Sequence, residues 1–253
     1  MGPGRGPPMR RRTKQQLVTA TLLVAAASIG ALAGPFVHTS TASGDDDAPA
    51  PAQPSALSTV SAAKASDALQ DLHALPVSDA YVPGYDRTAF GPAWADTDHN
   101  GCDTRNDVLR RDLVDVVTKP GTNGCVVLSG TLQDPYTGRT IAFHRGPTSS
   151  MAVQIDHRWP LGLVWRHGAA SWTPEQREAF ANDPAELVAV DGSANEEKSD
   201  SGPGEWMPAN AGDACSYATS FVAVATKWRL SIATADEHAL DRTLTGCTTH
   251  GSK

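Results

Sequence analysis

Ile155-Asp156-His157-Arg158-Trp159-Pro160-Leu161, Leu187-Val188-Ala189-Val190-Asp191 and Ser193-Ala194-Asn195-Glu196-Glu197-Lys198 are the three pieces of this chain that decide its fold. The first continues a short apolar run that starts at Met151, and the second is a compact apolar run of strand length. The third is polar and rich in helix formers, directly after Asp191-Gly192. In order they predict strand, long loop, strand, short turn and helix, a ββα unit. Asp156 and His157 then end the first strand, and Asn195 lies near the start of the helix. Adjacent residues on a strand point to opposite faces, so a neighbouring Asp and His serve one structural purpose poorly. At the edge of a metal site the pair is useful. The carboxylate holds a hard cation while the imidazole, with a pKa near neutrality, takes a proton from water.

Outward from that unit, local signals set the remaining elements. Cys125-Val126-Val127-Leu128 and Ile141-Ala142-Phe143 read as strands joined through the turn Asp134-Pro135-Tyr136-Thr137-Gly138. Thr173-Pro174-Glu175-Gln176 supplies an N-cap, a first-turn proline and a capping-box partner, so a helix runs to about Ala181. Leu57, Val60, Ala63, Leu69, Leu72 and Leu75 form one helical stripe that stops before Pro76. The stretch from Val82 to Trp94 is irregular chain pinned by Tyr85, Phe90 and Trp94. Thr104 to Asp115 reads as a helix, with Val108, Leu109, Leu113 and Val116 toward a core. Tyr217, Phe221, Val224 and Trp228 recur at helical spacing, and Thr234 with Glu237 reads as a capping box opening a last helix through Leu240 and Leu244. The expected class is α+β, with added helices and a small antiparallel hairpin beside the ββα unit.

The chain has 253 residues, and its beginning reads differently from the rest. Arg5, Arg10, Arg11, Arg12 and Lys14 precede a charge-free stretch from Leu17 to Val37, and Ala31-Leu32-Ala33 offers small residues for cleavage after Ala33. Residues 1–33 are expected to be a signal peptide or, uncleaved, a membrane anchor. Residues 34–56, with the run Asp45-Asp46-Asp47, are expected to be a disordered linker, and 57–253 one folded domain with its motif core at 151–212. Without the five basic residues of the leader, 16 basic residues face 28 acidic ones, a net charge of −12. That excludes tight nucleic-acid binding by electrostatics alone, but not an enzyme that meets phosphate through a metal ion. Cys102, Cys125, Cys215 and Cys247 lack C-x-x-C spacing and predict two disulfides in an oxidising compartment. Antiparallel packing of the last two helices favours Cys215–Cys247, leaving Cys102–Cys125.

Converging on one cation, Asp156 offers a charged oxygen and Asn195 a neutral one, a donor set that suits Mg²⁺. His157 would deprotonate a water aimed at phosphorus. Lys198 would either touch phosphate or solvate the helix. Arg105 would clamp phosphate or pair with Asp103 or Asp107, and His167 would be an accessory ligand or a solvated loop residue. Asp96-x-Asp98-x-Asn100-Gly101, with Asp107 at the twelfth position, has the spacing of a calcium loop, against which stands an Asx-rich turn.

The ordered set Gly101-Cys102-Asp103-Thr104-Arg105-Asn106, Asp134-Pro135-Tyr136-Thr137-Gly138, Asp156-His157-x-x-Pro160-Leu161, Trp165-x-x-Gly168-Ala169, Asn182-Asp183-Pro184, Asn195-x-x-Lys198 and Glu205-Trp206-x-Pro208 resembles the HNH, or ββα-metal, nucleases. More closely, it is similar to secreted actinobacterial proteins sharing the C-terminal domain of GmrSD-type restriction endonucleases, over roughly Val82 to Cys247. The resemblance implies a ββα-metal core with Asp156 and Asn195 as metal ligands and His157 as general base. Its cofactor would be a divalent metal, Mg²⁺ with Mn²⁺ or Zn²⁺ as alternatives, and the loop at Asp96, Asp98, Asn100 and Asp107 would add structural Ca²⁺. Glu186 stands where the pattern has an asparagine that braces the histidine loop; it can accept hydrogen bonds there, or reach the metal as an extra carboxylate. The expected activity is hydrolysis of phosphodiester bonds in DNA, and also RNA, by a secreted monomer that uses no nucleotide cofactor. Its alternatives are a catalytically weak extracellular binding protein and a phosphodiesterase of small substrates. An uncleaved leader would tether the domain to a membrane.

Overall fold

The computed structural model describes residues 60–250, so the leader, the linker at 34–56 and Leu57 lie outside the described residues. Helix α1 (Ala62–Ala74) is capped by the Ser61 side chain and buries Ala65, Ala68 and Leu72. An irregular segment follows, with a single 3-10 turn at Arg87–Phe90. Helix α2 (Thr104–Asp112) begins at Asp103, whose carboxylate accepts from the Asn106 N–H. The helix stops earlier than its apolar spacing predicts: Leu113–Thr118 is strand β1. Val114, Val116, Val117 and Thr118 are β-branched, and pairing with β2 (Val127–Gln133) decides their conformation. β2 also pairs with β3 (Thr140–His144), so the expected hairpin is a three-stranded antiparallel sheet, β1-β2-β3.

Strand β4 (Val153–His157) pairs antiparallel with β5 (Leu187–Asp191) as a separate two-stranded sheet. Between them run α3 (Leu161–Arg166) and α4 (Pro174–Ala181), the latter with the full capping box of Thr173 and Gln176. Helix α5 (Gly192–Lys198) leaves β5 without an intervening turn, because Asp191, the last strand residue, is also its N-cap and accepts from the Ala194 N–H at 2.9 Å. A Cβ at Gly192 would lie 2.0 Å from the Met151 carbonyl oxygen, so only glycine permits this close junction.

Helices α6 (Ala214–Trp228) and α7 (Thr234–His250) complete the chain and are joined by the Cys215–Cys247 disulfide. Cys102–Cys125 ties the start of α2 to the entry of β2. The Thr234 hydroxyl donates to Asp79 at 2.6 Å rather than forming a box with Glu237. Among the described residues no helix is long and apolar enough to cross a membrane.

The fold is α+β, and two apolar cores hold the β4–β5 sheet between them. Val188 and Val190 join Tyr136, Trp159, Tyr217 and the α1–α6–α7 helices in one core. Val153, Ile155, Leu187 and Ala189 join α2 and the three-stranded sheet in the other. The two faces of β5 feed different cores, which is why all five of its residues are buried and its sequence reads as a continuous apolar run. Its free edge is closed by α2: Asp112 accepts from the Ala189 N–H, and the Arg111 guanidinium donates to the Leu187 carbonyl.

Candidate active site

Asp156 and His157 end β4 facing opposite sides. Asp156 is 5% exposed and lies with Tyr136, whose hydroxyl donates to its Oδ2 at 2.6 Å. The Lys198 ammonium, fully buried at the end of α5, donates to Asp156 at 3.0 Å and to the His157 carbonyl at 2.8 Å. Both oxygens of the carboxylate are thus engaged. Burial pushes the Asp156 pKa up, and Lys198 and the Tyr136 hydrogen bond pull against it.

Glu186 completes this buried group. Its Oε1 accepts from the Trp159 N–H at 2.9 Å and its main-chain carbonyl accepts from the Arg158 N–H, so it braces the loop that follows His157. Trp159 fastens that loop to α6, stacked on Phe221 with its indole N–H on the Phe221 carbonyl. Glu186 Oε2 has no partner, and burial, with the Asp156 charge adding to it, holds the carboxyl well above the usual range. Asn195, on the first turns of α5, donates its amide to Gln154 Oε1 at 2.8 Å rather than reaching Asp156.

His157 belongs to the other side. It is half-buried, its ring 6.4 Å from that of Trp94 and nearly parallel to it, at 19°. His157 Nε2 lies 3.0 Å from the Ala181 carbonyl oxygen, which can only accept, so Nε2 carries the proton and Nδ1 keeps a lone pair in the neutral ring. Burial pushes this imidazole down to about 4, against the Ala181 hydrogen bond, and the Arg87 charge adds to the depression. At neutral pH His157 is an uncharged base.

A small open cleft, with a cavity volume of about 50 Å³, lies beside it, walled by Arg87, Phe90, Trp94, His157 and Asn182 among others. Asn182 is 1% exposed and donates to the Glu178 carbonyl, while its Oδ1 has no partner among the described residues. Trp94 adopts a left-handed backbone at φ 62°, a conformation that a bulky side chain rarely tolerates. The Arg105 guanidinium lies 6.0 Å from the Trp94 ring and donates to the Val153 carbonyl, so Arg105 supports this wall. Arg87, Trp94 and Asn182 were not singled out by sequence as site residues; an exposed arginine in an irregular segment carries no periodic signal.

Two other sequence candidates are engaged elsewhere. Asp96 accepts from the Asn100 and Gly101 N–H groups, Asp98 accepts from Asn100, and the Asn100 amide donates to Asp107. These oxygens serve an Asx-type turn. Among the described residues no group of three or more His, Cys, Asp or Glu is placed to hold a metal ion. His167 is not a solvated loop residue: it is a buried histidine, 6% exposed, with Nδ1 3.1 Å from the Ser231 hydroxyl and its ring edge-on to Trp159.

Comparison with known proteins adds two findings. The family model described as GmrSD restriction endonucleases, C-terminal domain, matches residues 103–242. An uncharacterized secreted protein of Arthroderma benhamiae is 38% identical over 166 residues, which cover 65% of this chain and 76% of that one. No solved structure matches.

Proposed function

Because the chain belongs to the family of GmrSD restriction endonuclease C-terminal domains, a nuclease-related family, we propose that it hydrolyses phosphodiester bonds of nucleic acid at the His157 cleft, as an endonuclease of the HNH type. The observation that carries this reading is the tautomer of His157: with Nε2 donating to Ala181, Nδ1 is the free base of a neutral ring that lines an open cleft. The strand–strand–helix order of β4, β5 and α5 supports the HNH assignment. In this reading Nδ1 takes a proton from water as the water oxygen attacks phosphorus. The bond to the leaving nucleoside oxygen breaks, and that oxygen is then protonated. Positioned base catalysis of this kind contributes roughly 10²–10⁴-fold.

The donors that the resemblance implies for a divalent ion do not fit one as they are arranged. Asp156 is filled by Lys198 and Tyr136, Asn195 is turned to Gln154, and Glu186 braces the loop after His157. The positive charge beside Asp156 belongs to Lys198, whose role in this reading is to hold the end of β4 rather than to touch phosphate. We also place the protein outside the cell, on the apolar leader, the two disulfides and the relative named as secreted.

Incubation of the mature protein with supercoiled plasmid, with and without added Mg²⁺ or Mn²⁺, tests the reading. Wild type is expected to nick and linearise it, and His157→Ala to lose a hundredfold or more of that rate with an unchanged melting temperature. An inert wild type, or equal cleavage by the variant, would sink it.

A further inference from the structure

The cations that sequence reading offered for phosphate are committed elsewhere. Lys198 is fully buried against Asp156 and the His157 carbonyl, and Arg105 lies over Trp94 with its guanidinium on the Val153 carbonyl. Arg87 is different. It is exposed, it lines the same cleft as His157, and among the described residues it forms none of the ion pairs seen elsewhere in the chain. An arginine beside a neutral base, in a chain this acidic, has electrostatic reason to pair with one of the surrounding carboxylates. Here it lines the cleft instead, with the Tyr85 hydroxyl as its side-chain hydrogen-bond partner.

The cleft has the other features that a phosphodiester needs. Asn182 backs the wall, its Oδ1 buried without a donor among the described residues. Trp94, held at φ 62° and backed by Arg105, presents an aromatic wall next to His157. Arg87 and Trp94 both precede residues 103–242, the part matched by the family model, so this wall is supplied by chain outside that match. The guanidinium fork matches two non-bridging oxygens of a phosphate bidentately, which a carboxylate-lined site cannot do.

We propose that Arg87 is the phosphate-binding residue of the His157 site, taking the non-bridging oxygens of a nucleic-acid phosphodiester while Trp94 and Asn182 bound the space beside it. The inference rests on the reading of His157 as the base, and its test separates the two. Duplex binding is measured without added divalent metal with His157→Ala, which is expected to turn over at least a hundredfold more slowly, and with His157→Ala/Arg87→Ala, across a salt series. Cleavage is measured with wild type, Arg87→Ala and Arg87→Lys. Arg87→Ala is expected to weaken binding and lower kcat/KM by about ten- to hundredfold, the range of a hydrogen bond to a charged group. It should also make the salt slope shallower by about one, with melting temperature unchanged because the side chain is exposed. Arg87→Lys should recover part of the loss, since it restores charge without the fork. Binding that is absent, or equal with and without Arg87, overturns the proposal even if wild type cleaves. Binding that depends on Arg87 in a protein that cleaves nothing upholds the phosphate site and removes the nuclease reading.

Discussion

Two adjacent residues of one strand end up in unlike surroundings. On the Asp156 side, Lys198, Tyr136 and Glu186 are sealed from water, and Asp156 has both oxygens partnered, while Glu186 Oε2 and the neighbouring Tyr217 hydroxyl lack a partner among the described residues. On the His157 side, a neutral imidazole and an exposed arginine line an open cleft. The difference follows from strand geometry: consecutive residues of β4 point to opposite faces, so adjacency in sequence separates the two groups in space. A closed polar cluster fixes the backbone at the end of β4, through the Lys198 bond to the His157 carbonyl, and the open face uses the side chain so held. Stability and chemistry are thereby divided between neighbours.

The sharpest way to break this division is Lys198→Met, similar in length but uncharged. It leaves Asp156 buried without a cation, which costs about 3–5 kcal/mol, or on the order of 10 °C in melting temperature for a domain of this size. The double variant Asp156→Asn/Lys198→Met removes both charges and should recover most of that loss, as replaced buried pairs generally do. Equal melting of Lys198→Met and wild type would mean that the pair adds nothing and that the cluster is not the closed structural side.

Glu186→Gln sharpens the comparison through pH. Burial raises the Glu186 pKa well above its unfolded value, so the stability it contributes is complete below the unfolded pKa, near 4.5, and is lost as pH rises through the folded one. Gln copies the neutral acid and cannot ionise, and its amide oxygen still accepts from the Trp159 N–H. The variant should therefore melt like wild type near pH 4.5 and above it by a growing margin toward pH 9. A margin that is constant across this range would show that Glu186 does not ionise differently in the folded protein.

Much of this architecture was legible because its signals are local. Thr173-Pro174-Glu175-Gln176 states a helix start within four residues, and the structure forms that box in full. The disulfides followed from helix order, and β4, β5 and α5 from runs of apolar and polar residues. The helical period of Val108, Leu109, Leu113 and Val116 carries the expected helix to Asp115, yet Leu113 to Asp115 open a strand, because the pairing that makes it lies with residues 127–132. The site was less legible for the same reason. Nothing near Asp156 states that Lys198, 42 residues on, fills its carboxylate, or that Arg87 comes to His157 from the irregular segment before α2. Glu186 was readable as a brace because a motif position named it, but its raised pKa depends on burial that only packing reveals.

The smallest expected effect is also the one that bears most on which face holds a cation. With both Asp156 oxygens on Lys198 and Tyr136, and the Asp96–Asp107 oxygens on their own turn, chelation should leave the melting temperature unchanged. A ligand that binds only the folded state stabilises it by mass action, so removing a bound ion would lower that temperature measurably. A fall on adding EDTA that is reversed by Mg²⁺ and abolished in Asp156→Ala would show an ion displacing Lys198, joining Asp156 to the reacting side. A fall reversed by Ca²⁺ and abolished in Asp98→Ala would instead place the ion in the Asp96–Asp107 loop, leaving the division between the faces of β4 intact. Scanning calorimetry of wild type and these two variants, with and without chelator, separates the three results, because each alters a different carboxylate set on a different side of the molecule.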